Sequence, residues 1–192
     1  EMNMNSGMSP VYDDPKSFGR GTDWQKEVFN YNAPVIEHQA SISGGNDKLS
    51  YYLSFGYLYN EGIIGGNFNR SNYDRYSARA NTTYTFFDHQ ERNWLRNFRG
   101  GVNMAYSRTT SMSIGENSER GSILGSAVSM SPIMKVYADD PQVVLAAHPN
   151  AVTDSKGNVF AIAGDDFGNM VNPLASLSLP GDKSKADKLV GN

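Results

Sequence analysis

Four segments of this sequence alternate between apolar or aromatic residues and small or polar ones. The alternation is clearest in the second segment, where every odd position from Leu49 to Tyr59 is apolar or aromatic and the even positions are mostly small or polar. Because successive side chains of a β-strand point to opposite faces, a period of two predicts a strand that lies between two different environments. A chain dominated by such segments cannot be all-helical.

The same period predicts one strand before this segment and two after it. The first strand carries Ala40 and Ile42 between polar residues and leads into a turn of sequence GGND, so the first two strands form a tight hairpin. The third and fourth strands are predicted at 75–86 and 98–107. We therefore predict an all-β fold, built on an antiparallel meander of about four strands within residues 38–107.

On all four predicted strands, one face is apolar with aromatic residues toward its ends, and the other carries Arg, Asn, Ser, Thr and Gly. A soluble β-sandwich usually places Val, Ile and Leu on its core face and charged residues such as Lys and Glu outside. Here the apolar face is rich in Tyr, and no Lys occurs at 51–59 or at 75–86. Strands of about ten residues with aromatic ends are typical of outer-membrane β-barrels. Part of a large transmembrane barrel is the first interpretation, and a sheet of a soluble sandwich is the alternative.

The predicted connections between strands are alternately short and long. Outer-membrane barrels have this property, with short periplasmic turns and long extracellular loops. It assigns residues 1–37 to an extracellular loop segment and residues 108–192 to a second, much longer extracellular loop that ends before the next strand. A loop of that length must carry structure or function of its own. Apolar residues at helical spacing predict one short helix over 119–131, in a loop that is otherwise largely irregular.

Charge and motifs exclude several classes of function. The chain has 17 Lys and Arg against 20 Asp and Glu, and a net charge of −3 excludes binding to nucleic acid through bulk positive charge. There is no Cys, and the three His lie in different segments without metal-ligand spacing. No phosphate loop, dinucleotide fingerprint or nucleophile elbow occurs. We therefore predict that the chain is not an enzyme and has no metal site built on His.

One cofactor remains open, which is a calcium ion in the long loop. Carboxylate and carbonyl oxygens are the ligands that Ca²⁺ prefers, and this segment contains two Asp-Asp pairs and a further aspartate between them. They could gather around an ion once the loop folds, or they could simply face solvent. The five are Asp139, Asp140, Asp154, Asp165 and Asp166.

A series of short motifs runs through the chain in a fixed order, from about Thr22 to Ala175. The motifs are TDWQ at 22–25, HQASISGGN at 38–46, YYLSFGY at 51–57, NEGI at 60–63, RYSARAN at 75–81, NWL at 93–95, GVNMAYSR at 101–108 and NPLA at 172–175. Each motif is weak by itself. The ordered set, with matching spacing, resembles the early barrel of SusC-like (SusC/RagA) TonB-dependent outer-membrane transporters of Bacteroidetes.

The resemblance implies a fragment of a nutrient transporter in the cell outer membrane, with the plug domain, the TonB-contacting segment and the remaining barrel strands outside this chain. It also implies import of oligosaccharides or oligopeptides, energy from TonB, a SusD-like lipoprotein over the extracellular mouth, and dimerisation. The alternative function, which follows from the sandwich interpretation, is a soluble cell-surface module that binds carbohydrate.

Five residues are candidates for contact with the substrate or with the plug. Trp24, in the first loop segment, could stack on a sugar ring or a peptide side chain, or it could pin the loop to its neighbours. The other four are arginines that we assign to the lumen-facing register, where a guanidinium must be either wet or paired with a carboxylate. They are Arg75, Arg79, Arg99 and Arg108.

Overall fold

The structure is a computed structural model of the 192-residue chain. It describes residue 16 and residues 19–65, 68, 70–88, 94–114, 122–163 and 170–192. The chain divides into two compact units, one containing residues 29–115 and 180–192 and the other residues 1–28 and 116–179. The first unit is built on a β-sheet and the second on short helices.

The sheet unit is a five-stranded antiparallel meander in which strands follow one another in sequence order. The predicted all-β antiparallel meander is thereby confirmed. Its strands are β1 Val35–Gly45, β2 Leu49–Glu61, β3 Asn72–Asp88, β4 Asn97–Ser113 and β5 Asp182–Gly191.

The strands differ from the predicted segments in extent and number. β4 continues to Ser113 instead of ending at 107, and β5 forms within the segment 108–192 that the sequence assigns to a loop. Half of the residues of β5, DKSKADKLVG, are charged and the strand shows no apolar alternation, so periodicity gives no signal there. The strand exists because its backbone pairs with β4 over ten residues, from Ser113 opposite Asp182 to Met104 opposite Gly191.

The hairpin between β1 and β2 is as tight as the sequence predicts. The side-chain oxygen of Asn46 accepts hydrogen bonds from the backbone N–H groups of Lys48 and Leu49, at 3.0 and 2.8 Å, and closes the turn. This turn lies at one end of the sheet. Ser113, where the chain leaves β4, lies at the opposite end, as the predicted alternation of short and long connections requires.

The register places the two predicted sets of side chains on opposite faces of the sheet. Leu53 pairs with Ala80, which pairs with Met104, whereas Arg79 pairs with Ser54 and Ala105. We name the two sides the apolar face and the polar face. The apolar face carries Ala40, Ile42, Leu53, Phe55, Ala78, Ala80, Val102, Met104, Tyr106 and Leu189. The polar face carries Gln39, Ser41, Tyr52, Ser54, Ser77, Arg79, Asn81, Asn103, Ser107 and Lys188.

The helical unit has a hydrophobic core of its own. Its helices are α1 Trp24–Val28, α2 Ile123–Ser129, α3 Pro141–Ala147 and α4 Pro173–Ser178. The core side chains include Trp24, Val28, Phe160 and Leu177, each at most 3% exposed. No described helix is long and apolar enough to cross a membrane.

Side-chain caps explain where these short helices begin. Ser122 accepts a hydrogen bond from Gly125 N at 3.0 Å, and Asp140 accepts from Gln142 N and Val143 N. α2 lies within the predicted helical segment 119–131, of which residues 119–121 are outside the described part. α3 and α4 show that the long connection is more regular than the sequence predicts, since each begins with a capping Asp or Asn followed by Pro.

Candidate functional site: the two faces of the sheet

The apolar face is not a core among the residues that the structure describes. Its larger side chains remain open to solvent, with Phe55 51%, Val102 56% and Leu189 67% exposed. An open depression of about 570 Å³ runs over this face between β1 and β5. All five described strands belong to one sheet, so no second sheet of the described residues covers it. Exposed apolar area of this extent indicates a surface that contacts something other than water.

Two aromatic rows border the apolar face. At the end where the long connections leave the sheet, the rings of Tyr57 and Tyr76 lie with centroids 4.8 Å apart and planes tilted by 34°, and His38 stacks on Tyr57 at 6.4 Å. At the hairpin end, Phe86 lies between Tyr84 and Phe98 with centroid distances of 5.0 Å to each. A register shift between Thr85 and Phe87 marks an irregularity in the pairing at this second row.

The strip between these rows carries no charge. Tyr76 and Tyr84 are eight positions apart on β3, and every described residue of the apolar face between the two rows is uncharged. Over the same length, the polar face carries Arg79 and Lys188. The absence of charge is therefore a property of one face and does not reflect the composition of the sheet as a whole.

The polar face around Arg79 is the best candidate for contact with a polar ligand or another protein segment. A depression of about 480 Å³ is bordered there by Gln39, Tyr52, Ser77, Ser107 and Lys188. Next to it, the side-chain oxygen of Asn81 is buried and has no hydrogen-bond partner among the described residues. Cationic and amide groups in this depression suit carboxylates or hydroxyl-rich molecules.

Three of the four predicted arginines lie on the polar face. Arg79 pairs with Ala105, Arg75 with Thr109 and Arg99 with Thr85. The three are spread along the face and not gathered at one point, since Arg75 and Arg79 are four positions apart on one strand, about 13 Å. Only Arg79 borders the depression described above.

The assignment of Arg108 to the lumen-facing register is wrong. Arg108 pairs with Tyr76 on one side and Asp187 on the other, so it lies on the apolar face, in line with the row of Tyr57 and Tyr76. Its Nε donates to Asp187 Oδ1 at 2.8 Å, and the hydroxyl of Tyr106 donates to the same oxygen at 2.6 Å. The parity of β4 already indicates this, because Arg108 follows Met104 and Tyr106 at steps of two.

Trp24 packs in the core of the helical unit and does not present its ring to a ligand. It is 3% exposed, and its indole N–H donates to the carbonyl of Ser131 at 3.1 Å. The neighbouring Thr22 donates its hydroxyl to the carbonyl of Met134 at 2.7 Å. Of the two roles considered for Trp24, the structure shows the one that pins the loop. The spacing of Trp24 and Val28 on one helical face is the signal for it.

The described aspartates of the long connection do not gather around a common point. Asp139 binds Lys135 at 2.6 Å, Asp140 caps α3, and Asp154 caps a turn. Asp165 and Asp166 lie outside the described residues. No group of three or more metal-binding side chains occurs in the described part of the chain.

Asp154 organises the turn that follows it. One carboxylate oxygen accepts from the backbone N–H groups of Lys156 and Asn158, both at 2.8 Å, and the other accepts from the Asn158 side chain at 2.9 Å. These hydrogen bonds, led by the one from the Asn158 side chain, lower the pKa of Asp154. Burial, followed by a hydrogen bond to Asp154, raises the pKa of Tyr137, whose ring stacks on Phe160 at 5.1 Å.

Sequence reasoning missed the residues of β5, because it assigned them to a loop. Lys188 borders the polar depression, and Asp187 binds Arg108 and Tyr106. The signal that could have found them is weak. Only Leu189 and Val190 are large apolar residues in this strand, and they face opposite sides.

Comparison with known proteins agrees with the predicted resemblance. The chain is 30% identical over 179 residues to the TonB-dependent receptor SusC of Bacteroides thetaiotaomicron, which covers 89% of this chain and 16% of that protein. It is 24% identical over 147 residues to the TonB-dependent receptor P3 of Formosa agariphila, covering 74% of this chain and 13% of that protein. The chain therefore spans about a sixth of the length of these relatives or less. No protein-family model matches it.

Proposed function

We propose, from the premise that this chain is SusC-like and resembles TonB-dependent receptors over most of its length, that it supplies five consecutive strands of a transmembrane β-barrel in a transporter of the outer membrane. The apolar face then contacts lipid and the polar face lines the lumen. One observation carries this proposal, which is the uncharged, exposed strip between two aromatic rows on one face only.

The length of the strip fits a bilayer. Eight residues of an antiparallel strand span about 27 Å, and a tilt of about 40° reduces the height to about 21 Å. The apolar band of outer-membrane barrels is about 25 Å tall and is bordered by aromatic side chains at both interfaces. A soluble sandwich would bury the same strip against a second sheet, and the apolar face has no such cover among the described residues.

The two outer strands of the sheet support the same proposal. Among the described residues, β1 and β5 each pair on one side only, so each has a row of backbone groups on its other side. In a membrane such groups must be hydrogen-bonded, which closure of a barrel achieves by pairing each strand with a further strand. We propose that strands of the same protein beyond this segment pair with β1 and β5.

Substrate and partners follow from the relatives and from the polar face. We propose that the transporter imports oligosaccharides or oligopeptides, takes energy from TonB and works with a SusD-like lipoprotein. The depression around Arg79 and Lys188 then contacts either acidic groups of a plug domain or the passing substrate. The groups in this depression suit binding and guiding a molecule and not catalysis. We therefore propose no enzymatic activity.

Adjacent residues of β2 provide a test in the full-length protein. The chain has no Cys, so Phe55→Cys and Ser54→Cys introduce single labelling sites one residue apart within it. With a fluorophore attached, we expect Phe55→Cys to be quenched by a lipid-borne quencher and Ser54→Cys by aqueous iodide. Folding is checked by heat-modifiable migration in detergent. Protein that folds without detergent and shields Phe55→Cys from both quenchers supports the soluble sandwich instead.

A further inference from the structure

The apolar face changes character on β4 and β5, beyond the row of Tyr57 and Tyr76. Arg108 lies in that row opposite Asp187. The next two positions of β5 on this face are Lys185, opposite Thr110, and Lys183, opposite Met112. We name Arg108, Lys185 and Lys183 the cationic rim. Arg108 lies level with Asp187, and Lys185 and Lys183 precede Asp187 along β5 at steps of two residues. All three lie on the face of the sheet that carries the uncharged strip.

The rim holds more positive than negative charge. Arg108 is paired with Asp187, Nη2 to Oδ2 at 3.2 Å, whereas Lys185 and Lys183 are exposed and form no ion pair within 4.0 Å among the described residues. The other carboxylates on this face and end are Asp74 and Glu61, on β3 and β2. Asp74 accepts a hydrogen bond from Tyr57 at 3.4 Å, and Glu61 accepts from Asn30 at 2.8 Å. The β4–β5 half therefore keeps two cations without a close ion pair among the described residues, although Lys185 interacts at longer range with Asp187.

We propose that the cationic rim binds the phosphate groups of glycolipid headgroups in the outer leaflet. This inference rests on the proposed barrel, which places the rim just outside the uncharged strip at the end with the long connections. Two steps of two residues raise Lys183 above Arg108 by about 14 Å along the strand, or about 10 Å after tilt. Headgroup layers extend about 5–8 Å beyond the hydrocarbon core, and flexible lysine stems adjust to that depth.

Charge and position favour this occupant over others. The rim shares its face with Leu189 and Tyr106, so it lies toward lipid and away from the lumen. Ammonium and guanidinium groups donate charge-assisted hydrogen bonds to phosphate oxygens. A neutral lipid headgroup gives no reason for two unpaired lysines at successive positions of one face, whereas a phosphorylated glycolipid does.

The test uses the full-length protein, purified in detergent and titrated with lipid A that carries two phosphates. Native mass spectrometry measures the bound fraction for wild type, for Lys183→Gln with Lys185→Gln, and for Lys188→Gln, which removes a lysine from the opposite face of the same strand. Each cation near a membrane surface contributes about 1 kcal/mol, or about fivefold in affinity. We expect the double variant to bind lipid A on the order of 25-fold more weakly and Lys188→Gln to bind like wild type.

The outcomes separate this inference from the proposed barrel. Lipid A stripped of phosphate should bind wild type and the double variant equally, because acyl contacts remain in both. Equal binding of phosphorylated lipid A by wild type and the double variant, in protein that shows heat-modifiable folding, overturns the rim and leaves the barrel intact. A wild-type protein without heat-modifiable folding overturns both. If the double variant fails to fold, the two single variants are measured, with about a fivefold loss expected for each.

Discussion

Leu53 and Ser54 are neighbours in sequence but meet different surroundings in the proposed barrel. Leu53 lies in the middle of the uncharged strip. Ser54 lies on the polar face, where it pairs with Arg79 of β3. In the full-length protein, Leu53→Arg or Met104→Arg should lower the free energy of unfolding by about 2–4 kcal/mol, since a cation near the bilayer midplane loses its hydration. Urea unfolding from lipid vesicles measures this change. Ser54→Arg and Asn103→Arg are the matched controls, and a cost equal to that of Leu53→Arg would count against lipid contact.

At the residue scale, the sequence predicts the face of the sheet on which a side chain lies better than it predicts the residue that the side chain contacts. The alternation along each strand places Arg79 and Asn103 on the other face of the sheet from Leu53, and the register confirms it. Arg108 shows the limit of this reasoning: we grouped it with other arginines by chemistry, although its parity on β4 places it with Tyr106. Its partner Asp187 lies 79 positions away on a strand that hydrophobic periodicity does not reveal.

At the element scale, the turn after Asp154 should depend on pH. The pKa of Asp154 is lowered in the folded state, chiefly by the hydrogen bond from the Asn158 side chain. Its contribution to stability is therefore complete above the unfolded pKa of about 3.9 and is lost as pH falls through the lower folded value. Hydrogen exchange of residues 155–158 in the full-length protein, corrected for intrinsic rates, should show protection at pH 5 that declines toward pH 3.

Two variants separate this carboxylate from its neighbours. Asp154→Asn should reduce the protection at pH 5 and remove its dependence on pH, because the acceptor loses its charge and one of its oxygens. Asp139→Asn changes a carboxylate that binds Lys135 elsewhere in the same unit, and it should leave the turn unchanged. A pH dependence that survives in Asp154→Asn would assign the effect to another group.

The elements that the sequence predicts are those with a strong local signal. β1 to β4 alternate in hydrophobicity, and the turn at Asn46 has the residue types that close a hairpin. β5 lacks the alternation and is held by backbone pairing with a distant strand. The helical unit falls between these cases, because the caps of α3 and α4 are visible in the sequence but the core that orders such short helices is assembled from distant segments.

At the scale of the whole molecule, the sheet is incomplete by itself. Both outer strands are unpaired on one side within the part of the chain that the structure describes, and Phe55 and Leu189 are half-exposed or more. We expect the 192-residue chain expressed alone to aggregate in water and to stay dispersed in detergent, because open strand edges and apolar area both favour association. Sedimentation with and without detergent measures this. A monomeric, detergent-free chain with a β-type circular dichroism spectrum would contradict the expectation.

The distance along the chain between β4 and β5 also fixes an order of assembly. Gly45 and Ser50 meet across five positions, whereas Ser113 and Asp182 meet across 69. The entropy of closing a flexible loop grows with the logarithm of its length, so the longer closure costs about 2 kcal/mol more. The β1–β2 hairpin therefore forms early from local contacts. β5 pairs with β4 only after the intervening chain has folded and brought the two segments closer together. In the proposed barrel, slow folding of the long connection would therefore delay the pairing of β5 with β4 and of any strand that pairs after β5.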